Sequence, residues 1–470
     1  MKCYLSVFAG LILVLQLFHS QPLQAQHSFD QEKLDNYLST LVEHDKFMGS
    51  VAILEDDDIL FQKAYGFINE DERSADLETV YRIGSITKTY TSTILMQLVE
   101  QAEISLSDHV SEFFPEIPNA DKITIEHLLH HRSGLVSVTG VEEYMDYYTE
   151  GSTHQEMIDR MIEYGTSFEP GEKFEYSNSG YLLLGYIIEK VTGLSYEEAL
   201  QEMITDPLGL ERTYYGMDIS MDRGEAKSFS YSKDEWEISP ETDMSVPHGA
   251  GAIVSTPTEV GLFLNALFDG ELVSIESLEK MKNLKDGYGL GLFRFPFNNR
   301  FAWGHNGGID EFQSTSGHFP EEDLTFVLIG NGVNYALNDI AIGMLNILFN
   351  NDFEIPDFSN EPKQVELKKR ELKVYTGSYT SEESPLEINF FIDGDVLKAL
   401  AAGQRAIPLT PFEGEIMKFI PAGITMVFKN RLNGKFQSFE LQQSDGQTFE
   451  FTLQQAVSYT HLTLPTIYSV

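Results

Sequence analysis

The sequence predicts a mixed α/β architecture that ends in a small antiparallel β domain, and three observations predict it. Before residue 350, apolar residues recur at helical spacing in several segments, with short β-rich runs between them. From residue 367 the texture changes: Leu386, Ile388, Phe390 and Ile392 alternate strictly, and Asp393-Gly394, Asn433-Gly434 and Asp445-Gly446 supply hairpin turns. The chain of 470 residues, 42% of them hydrophobic, is long enough for more than one globular domain.

At the N-terminus, Lys2 precedes an apolar run from Tyr4 to Phe18, and Leu23-Gln24-Ala25 offers a cleavage site, so residues 1–25 read as a secretory signal peptide. The expectation is an exported protein, periplasmic or secreted, with no membrane anchor once the signal is removed. Cys3 is the one cysteine and falls inside that segment, so neither a disulfide nor a thiol nucleophile is expected in the mature chain. A formal charge of −41 excludes nucleic acid and anionic lipid as partners, because both require a basic face.

Residues 26–350 form the first expected domain. Leu34, Tyr37, Leu38 and Leu41 share a helical face, and Ser50–Leu54 and Ile59–Tyr65 read as strands joined by the acidic turn Glu55-Asp56-Asp57-Asp58. Next comes Tyr81-Arg82-Ile83-Gly84-Ser85-Ile86-Thr87-Lys88, with Ile94, Leu95, Leu98 and Val99 at helical spacing behind it. A helix is expected to open near Ser85, which puts Lys88 on the same face, one turn on. A serine hydroxyl needs a neighbouring base, and a lysine serves only when its pKa falls from about 10.4.

Further along, His127 and His131 share a helical spacing, but neither a His-Glu-x-x-His pattern nor a carboxylate ligand accompanies them, so helix-end packing is expected and no metal. Val141–Ile162 reads as a helical insertion roofing a pocket. In Tyr176-Ser177-Asn178 an extended backbone would turn the phenol and the amide toward one space; a core tyrosine and an N-capping asparagine are the alternative. A helix follows and stops at Gly193. His248-Gly249-Ala250-Gly251 lacks a P-loop lysine, and Gly287-Tyr288-Gly289-Leu290-Gly291 fails the dinucleotide spacing, so no cofactor is expected. The glycines flanking His305 in Trp303-Gly304-His305-Asn306-Gly307-Gly308 let the backbone approach a ligand. Leu324–Ile329 then reads as a buried strand, and Tyr335–Phe349 as a helix. Residues 351–366, with Pro356 and Pro362, form a linker, and residues 367–456 the β domain; the uncharged tail 457–470 has the look of non-native sequence.

Ser85-x-x-Lys88, Tyr176-x-Asn178 and His305-x-Gly307, in that order, resemble the serine β-lactamase and penicillin-binding protein superfamily, and within it the class C-like branch. The resemblance runs from about Phe47 to Phe349. It implies a mostly antiparallel sheet flanked by helices, a helical region beside it, and an active site in the groove between. It further implies that Ser85 forms an acyl-enzyme, that Lys88 and Tyr176 share the proton transfers, and that Asn178 orients Lys88 and the substrate amide. The backbone N–H groups of Ser85 and Gly308 would form the oxyanion hole, with His305, Asn306 and Gly307 beside them. One departure carries weight. Class C enzymes resemble this pattern with Lys-Thr-Gly where this chain has His305-Asn306-Gly307. Histidine there looks more like D-Ala-D-Ala carboxypeptidases, D-amino-acid peptidases and esterases, and it supplies a cation only when protonated. The expected function is therefore a serine hydrolase of a small-molecule or peptide ester or amide, peptidoglycan-derived peptides included, with β-lactam hydrolysis ranked below. The alternative is a non-catalytic protein that binds or senses cell-wall peptides.

Overall fold

The computed structural model describes residues 27–56, 58–401, 406–443 and 446–454. The expected export signal with Cys3, Asp57 of the acidic turn, Asp445 of the last hairpin and the tail 457–470 lie outside the described residues. Helix α1 (Gln31–Glu43) opens on Asp30, whose carboxylate accepts the Lys33 N–H at 2.8 Å. Strands β1 (Phe47–Glu55) and β2 (Asp58–Tyr65) follow as an antiparallel pair.

Four later strands complete the sheet: β3 (Phe293–Phe297), β4 (Arg300–Ile309), β5 (Phe312–Phe319) and β6 (Leu324–Val333). Their spatial order is β2-β1-β6-β5-β4-β3, and every neighbour along it is antiparallel. A hairpin of Phe229–Ser232 and Glu235–Ile238 is appended to β6, by one parallel pairing of Gly332 with Phe229. Alternation decides which core each side chain enters. Phe326 and Leu328 join a cluster with Leu38, Phe47 and Met344, whereas Val327 and Ile329 join the one around Ile94, Leu183 and Phe263. Because both faces are covered, β1 is buried at every residue but its last. Phe47, Met48, Val51, Ile53 and Leu54 of this strand each contribute about 1.5–3 kcal/mol by leaving water.

Helices α2 (Thr87–Glu100), α3 (His154–Tyr164), α4 (Asn178–Thr192) and α5 (Pro257–Phe268) build the second of these cores, and α6 (Leu337–Leu348) packs with α1 on the opposite face. Gly193, at φ +74°, ends α4 in the left-handed conformation that its sequence suggested. His127 and His131 do not share a helical face. The short helix there ends at Leu129, and His131 has φ +54°. Among the described residues, no helix is long and apolar enough to cross a membrane.

Eight antiparallel strands between Gly377 and Leu453 close on themselves, the first pairing with the last through Tyr379 and Leu453. The β domain is thus a closed barrel, filled by Tyr379, Phe390, Phe428, Phe439 and Phe451. The preceding segment ties it to the rest of the chain: Glu361 bridges Lys46 at 2.6 Å and Lys418 at 3.8 Å, and Val365 N–H donates to the Pro411 carbonyl. The fold class is therefore the expected one, a mainly antiparallel sheet flanked by helices, a helical region, and a small antiparallel β domain behind it.

Candidate active site

Tyr81–Arg82 pairs with Ile253–Ser255, and the chain then tightens into a 3-10 turn, Gly84–Ile86, that leads into α2. Ser85 lies in that turn, just ahead of the α-helix. Gly84 has φ +53°, and a Cβ there would stand 2.7 Å from the Gly308 nitrogen; a Cβ on Gly307 would stand 2.0 Å from the Ile83 carbonyl oxygen. Two backbones therefore touch, and the β4 edge at Gly307–Gly308 lies directly against the turn that carries Ser85. A buried ion pair holds this junction. Arg82 donates to Asp310 at 2.8 Å and to the Thr242 carbonyl at 2.7 Å, and Asp310 also accepts the Thr242 N–H at 2.9 Å and its hydroxyl at 2.6 Å.

Lys88 is wholly buried, with Nζ 2.9 Å from Ser85 Oγ and 2.7 Å from the Ala250 carbonyl oxygen. The Tyr176 and Tyr181 ring centroids are 5.0 and 5.5 Å from the same nitrogen. Burial pushes the amine well below its usual range of protonation. Tyr176 stands beside the same hydroxyl, and burial raises its phenol well above the usual value, against a smaller lowering influence of Ser85, so it carries its proton. One hydroxyl thus meets a base and an acid.

Asn178 begins α4, and Ser177 precedes it in extended conformation. The Asn178 amide donates to Thr139 Oγ1 at 2.6 Å, and its backbone N–H to Ser137 Oγ at 3.1 Å. Its Oδ1 is buried with no partner. The implied contact between Asn178 and Lys88 is not made: the amine is taken up by Ser85 and Ala250.

His305 is buried on β4, with Nε2 3.0 Å from the Tyr288 hydroxyl and Nδ1 2.5 Å from the Asn306 carbonyl oxygen. Burial, followed by the nearby Lys88, lowers its pKa to about 3. The imidazole is consequently neutral at physiological pH and cannot replace the lysine charge of the class C pattern. Asn306 and Gly308 are exposed at the strand edge, with Gly307 half-buried between them.

Three contributors carry no signal in the sequence. Ala250 acts through its carbonyl, which any residue possesses. Tyr288, from the glycine-rich stretch 287–291, hydrogen-bonds His305 and stands 4.7 Å from the His131 ring. His131 lies 4.1 Å from the Tyr176 ring and faces the Ser177 backbone, 3.1 Å from its nitrogen. The pairing of His131 with Phe174 and Tyr176 depends on a chain crossing that periodicity does not report. The glycine-rich turn at 248–251 is a packing device: a Cβ on Gly249 would stand 2.9 Å from the Tyr181 carbonyl oxygen.

A family model described as Beta-lactamase matches residues 34–344. Penicillin-binding protein 4* of Bacillus subtilis is 26% identical over 413 residues, covering 81% of this chain and 90% of its own length. A teichoic acid D-alanine hydrolase of Staphylococcus aureus is 28% identical over 285 residues, covering 59% of this chain and 68% of its own. Of solved structures, the octameric penicillin-binding protein homologue from Pyrococcus abyssi superposes with a TM-score of 0.62 and 27% identity, covering 90% of this chain and 99% of that one. The D-amino acid amidase from Ochrobactrum anthropi SV3 gives a TM-score of 0.58 and 28% identity over 68% of this chain and 99% of its own.

Proposed function

The chain belongs to the Beta-lactamase family and is a serine hydrolase; from that premise we propose that Ser85 carries the acyl group and that the substrates are esters or amides of D-amino acids. The observation that carries this reading is the buried Lys88 amine 2.9 Å from Ser85 Oγ, facing a carbonyl rather than a carboxylate. A neutral amine in that position can take the hydroxyl proton as Oγ attacks the acyl carbon. The protonated Tyr176 phenol then supplies a proton to the departing amine or alkoxide and recovers one from Lys88. Water repeats the sequence in reverse, its proton leaving through the same pair, and Ser85 is released. Negative charge on the acyl oxygen is met by the backbone N–H groups of Ser85 and Gly308, a contribution of about 3 kcal/mol per donor.

Substrate preference follows from His305. A β-lactam, or a peptide ending in a free D-alanine, carries a carboxylate that a neutral imidazole does not attract. An amide or ester of a D-amino acid presents no such charge. The relatives named for D-alanine and D-amino acid hydrolysis support this choice. Lys2 followed by the apolar run Tyr4 to Phe18 supports export, which would bring the enzyme to cell-wall polymers bearing D-alanyl groups. A pure binding role is set aside, because a binder has no use for a desolvated amine beside a hydroxyl.

The test is intact mass after fluorophosphonate treatment of native protein and Ser85→Ala, followed by turnover of D-alanyl esters, D-amino acid amides and a cephalosporin. One adduct on the native chain alone, with turnover lost by about 10⁵–10⁶-fold in Ser85→Ala, is the expected result. Cephalosporin turnover exceeding that of every D-amino acid derivative would overturn the substrate assignment.

A further inference from the structure

Away from the groove, three elements bring His154, Glu189 and His248 together. His154 is the first residue of α3, Glu189 lies in the last turns of α4, and His248 opens a 3-10 turn that ends at Ala250. His154 Nδ1 is 3.3 Å from Glu189 Oε2, His248 Nε2 is 3.5 Å from Glu189 Oε1, and all three ligand atoms lie within 4.8 Å of one another.

These separations are long for hydrogen bonds, whose N···O distance is commonly about 2.9–3.0 Å. The two contacts fall on the two separate oxygens of Glu189, so both imidazoles face one carboxylate, and an ion drawn between them would be approached by each ligand atom at about 2.0–2.1 Å once His154 closes in. The ligand chemistry agrees: two imidazoles and one carboxylate are a set that tetrahedral zinc accepts, with water in the fourth position.

The surroundings favour a held cation. The Tyr186 ring stacks on His154 at 4.0 Å and stands 4.8 Å from His248, and Tyr196 and Tyr215 close the other side of His248 at 5.1 and 5.7 Å. Such an apolar wall strengthens the attraction between an ion and its carboxylate. Glu189 Oε1 also accepts the Tyr196 N–H at 3.0 Å, which fixes the carboxylate in place. His248 is buried, while the His154 side chain is 46% exposed, so His154 is free to close the set and water has access.

We infer that His154, Glu189 and His248 form a Zn²⁺ site with water as its fourth ligand. Its place in the fold gives it a purpose. His248 is two residues before Ala250, whose carbonyl accepts from Lys88, so an ion held at His248 fixes the turn that positions the amine next to Ser85. The ion stands apart from the reacting groups and takes no part in bond breaking.

The experiment is titration of the chelator-stripped full chain with Zn²⁺ and, separately, with Co²⁺, in native protein and in His154→Ala. One ion per chain, a visible Co²⁺ band of four-coordinate intensity, and a rise in unfolding temperature with Zn²⁺ are expected for native protein. Affinity in His154→Ala falls by at least about 100-fold, more than loss of an outer partner would cost, and the band and the thermal shift disappear. Absence of stoichiometric binding in native protein, or equal affinity and an equal band in His154→Ala, overturns the assignment. Because His154 is partly exposed, its replacement leaves the fold intact, and the native titration stands without it. Neither readout depends on turnover, so failure here leaves the hydrolase reading untouched.

Discussion

The barrel interior and the candidate active site are both lined by aromatic rings, and they use them oppositely. In the barrel, Phe390 stands 5.3 Å from Phe428 and 5.2 Å from Phe439, and the buried Tyr379 hydroxyl finds the Phe436 carbonyl at 3.0 Å. In the groove, Tyr176, Tyr181 and Tyr288 surround an amine and two histidines, and His131 Nε2, Ser177 Oγ and Asn178 Oδ1 are buried with no partner. Among the described residues, no such unpartnered buried atom belongs to the barrel. Apolar packing in the first region becomes stability. In the second, the same exclusion of water becomes a shifted proton affinity and polar groups that await a ligand.

The largest expected break of this contrast is at Lys88. Lys88→Met should lower kcat by about 10²–10⁴-fold, the range of general-base catalysis, while the unfolding temperature stays constant or rises because a desolvated amine is removed. The pH dependence has a defined sign. Lys88 must be unprotonated to act, and burial holds its pKa well below the ordinary lysine range, so kcat/KM climbs with pH through that lowered value and then levels. Stability follows the same direction: the unfolded chain keeps this proton up to about 10.4, so between the folded and unfolded values stability rises with pH, and Lys88→Met removes that component. His305, at about 3, contributes no step between pH 5 and 9. A rate profile with a step near pH 6.5 that vanishes in His305→Gln would contradict its burial.

The barrel gives the complementary prediction. Phe439→Ala removes a ring that packs on Tyr379, Phe390, Phe428 and Phe451, and should cost about 3–5 kcal/mol of stability in denaturant unfolding. Turnover per folded molecule should change less than twofold. A fall in kcat at a denaturant concentration where the barrel remains folded would show that the barrel shapes the groove.

Local signals made part of this molecule legible in its sequence. Gly193 stops α4 with positive φ, Pro257 opens α5, and Asn433-Gly434 has φ +51° and +77°, the two left-handed residues that a tight hairpin requires. The Ser85 and Lys88 pair was legible for the same reason, since one turn fixes their spacing. Barrel closure was not, because the pairing of Tyr379 with Leu453 spans the whole domain and leaves no mark on either strand. His131 was read as helix-end packing, yet its ring lies against Tyr176, a contact made by distant segments. The neutrality of His305 was equally hidden: proton affinity depends on what covers a side chain, and the residue name gives only the starting value.

The smallest effect is expected at Asn178, and it decides what the unpartnered groups in the groove are for. Its amide nitrogen is held by Thr139 at 2.6 Å, which fixes the side chain and leaves Oδ1 without a donor. A buried acceptor with no partner costs about 1–3 kcal/mol, so its removal should not destabilise the protein. If a substrate N–H fills the position, Asn178→Ala should raise KM for a D-amino acid amide by about 10–100-fold, the equivalent of that same energy. For an ester of the same amino acid that lacks the matching N–H, KM should hardly move. Equal changes for both substrates would mean that Oδ1 only supports the start of α4, and the contrast between groove and barrel would then rest on Lys88 alone.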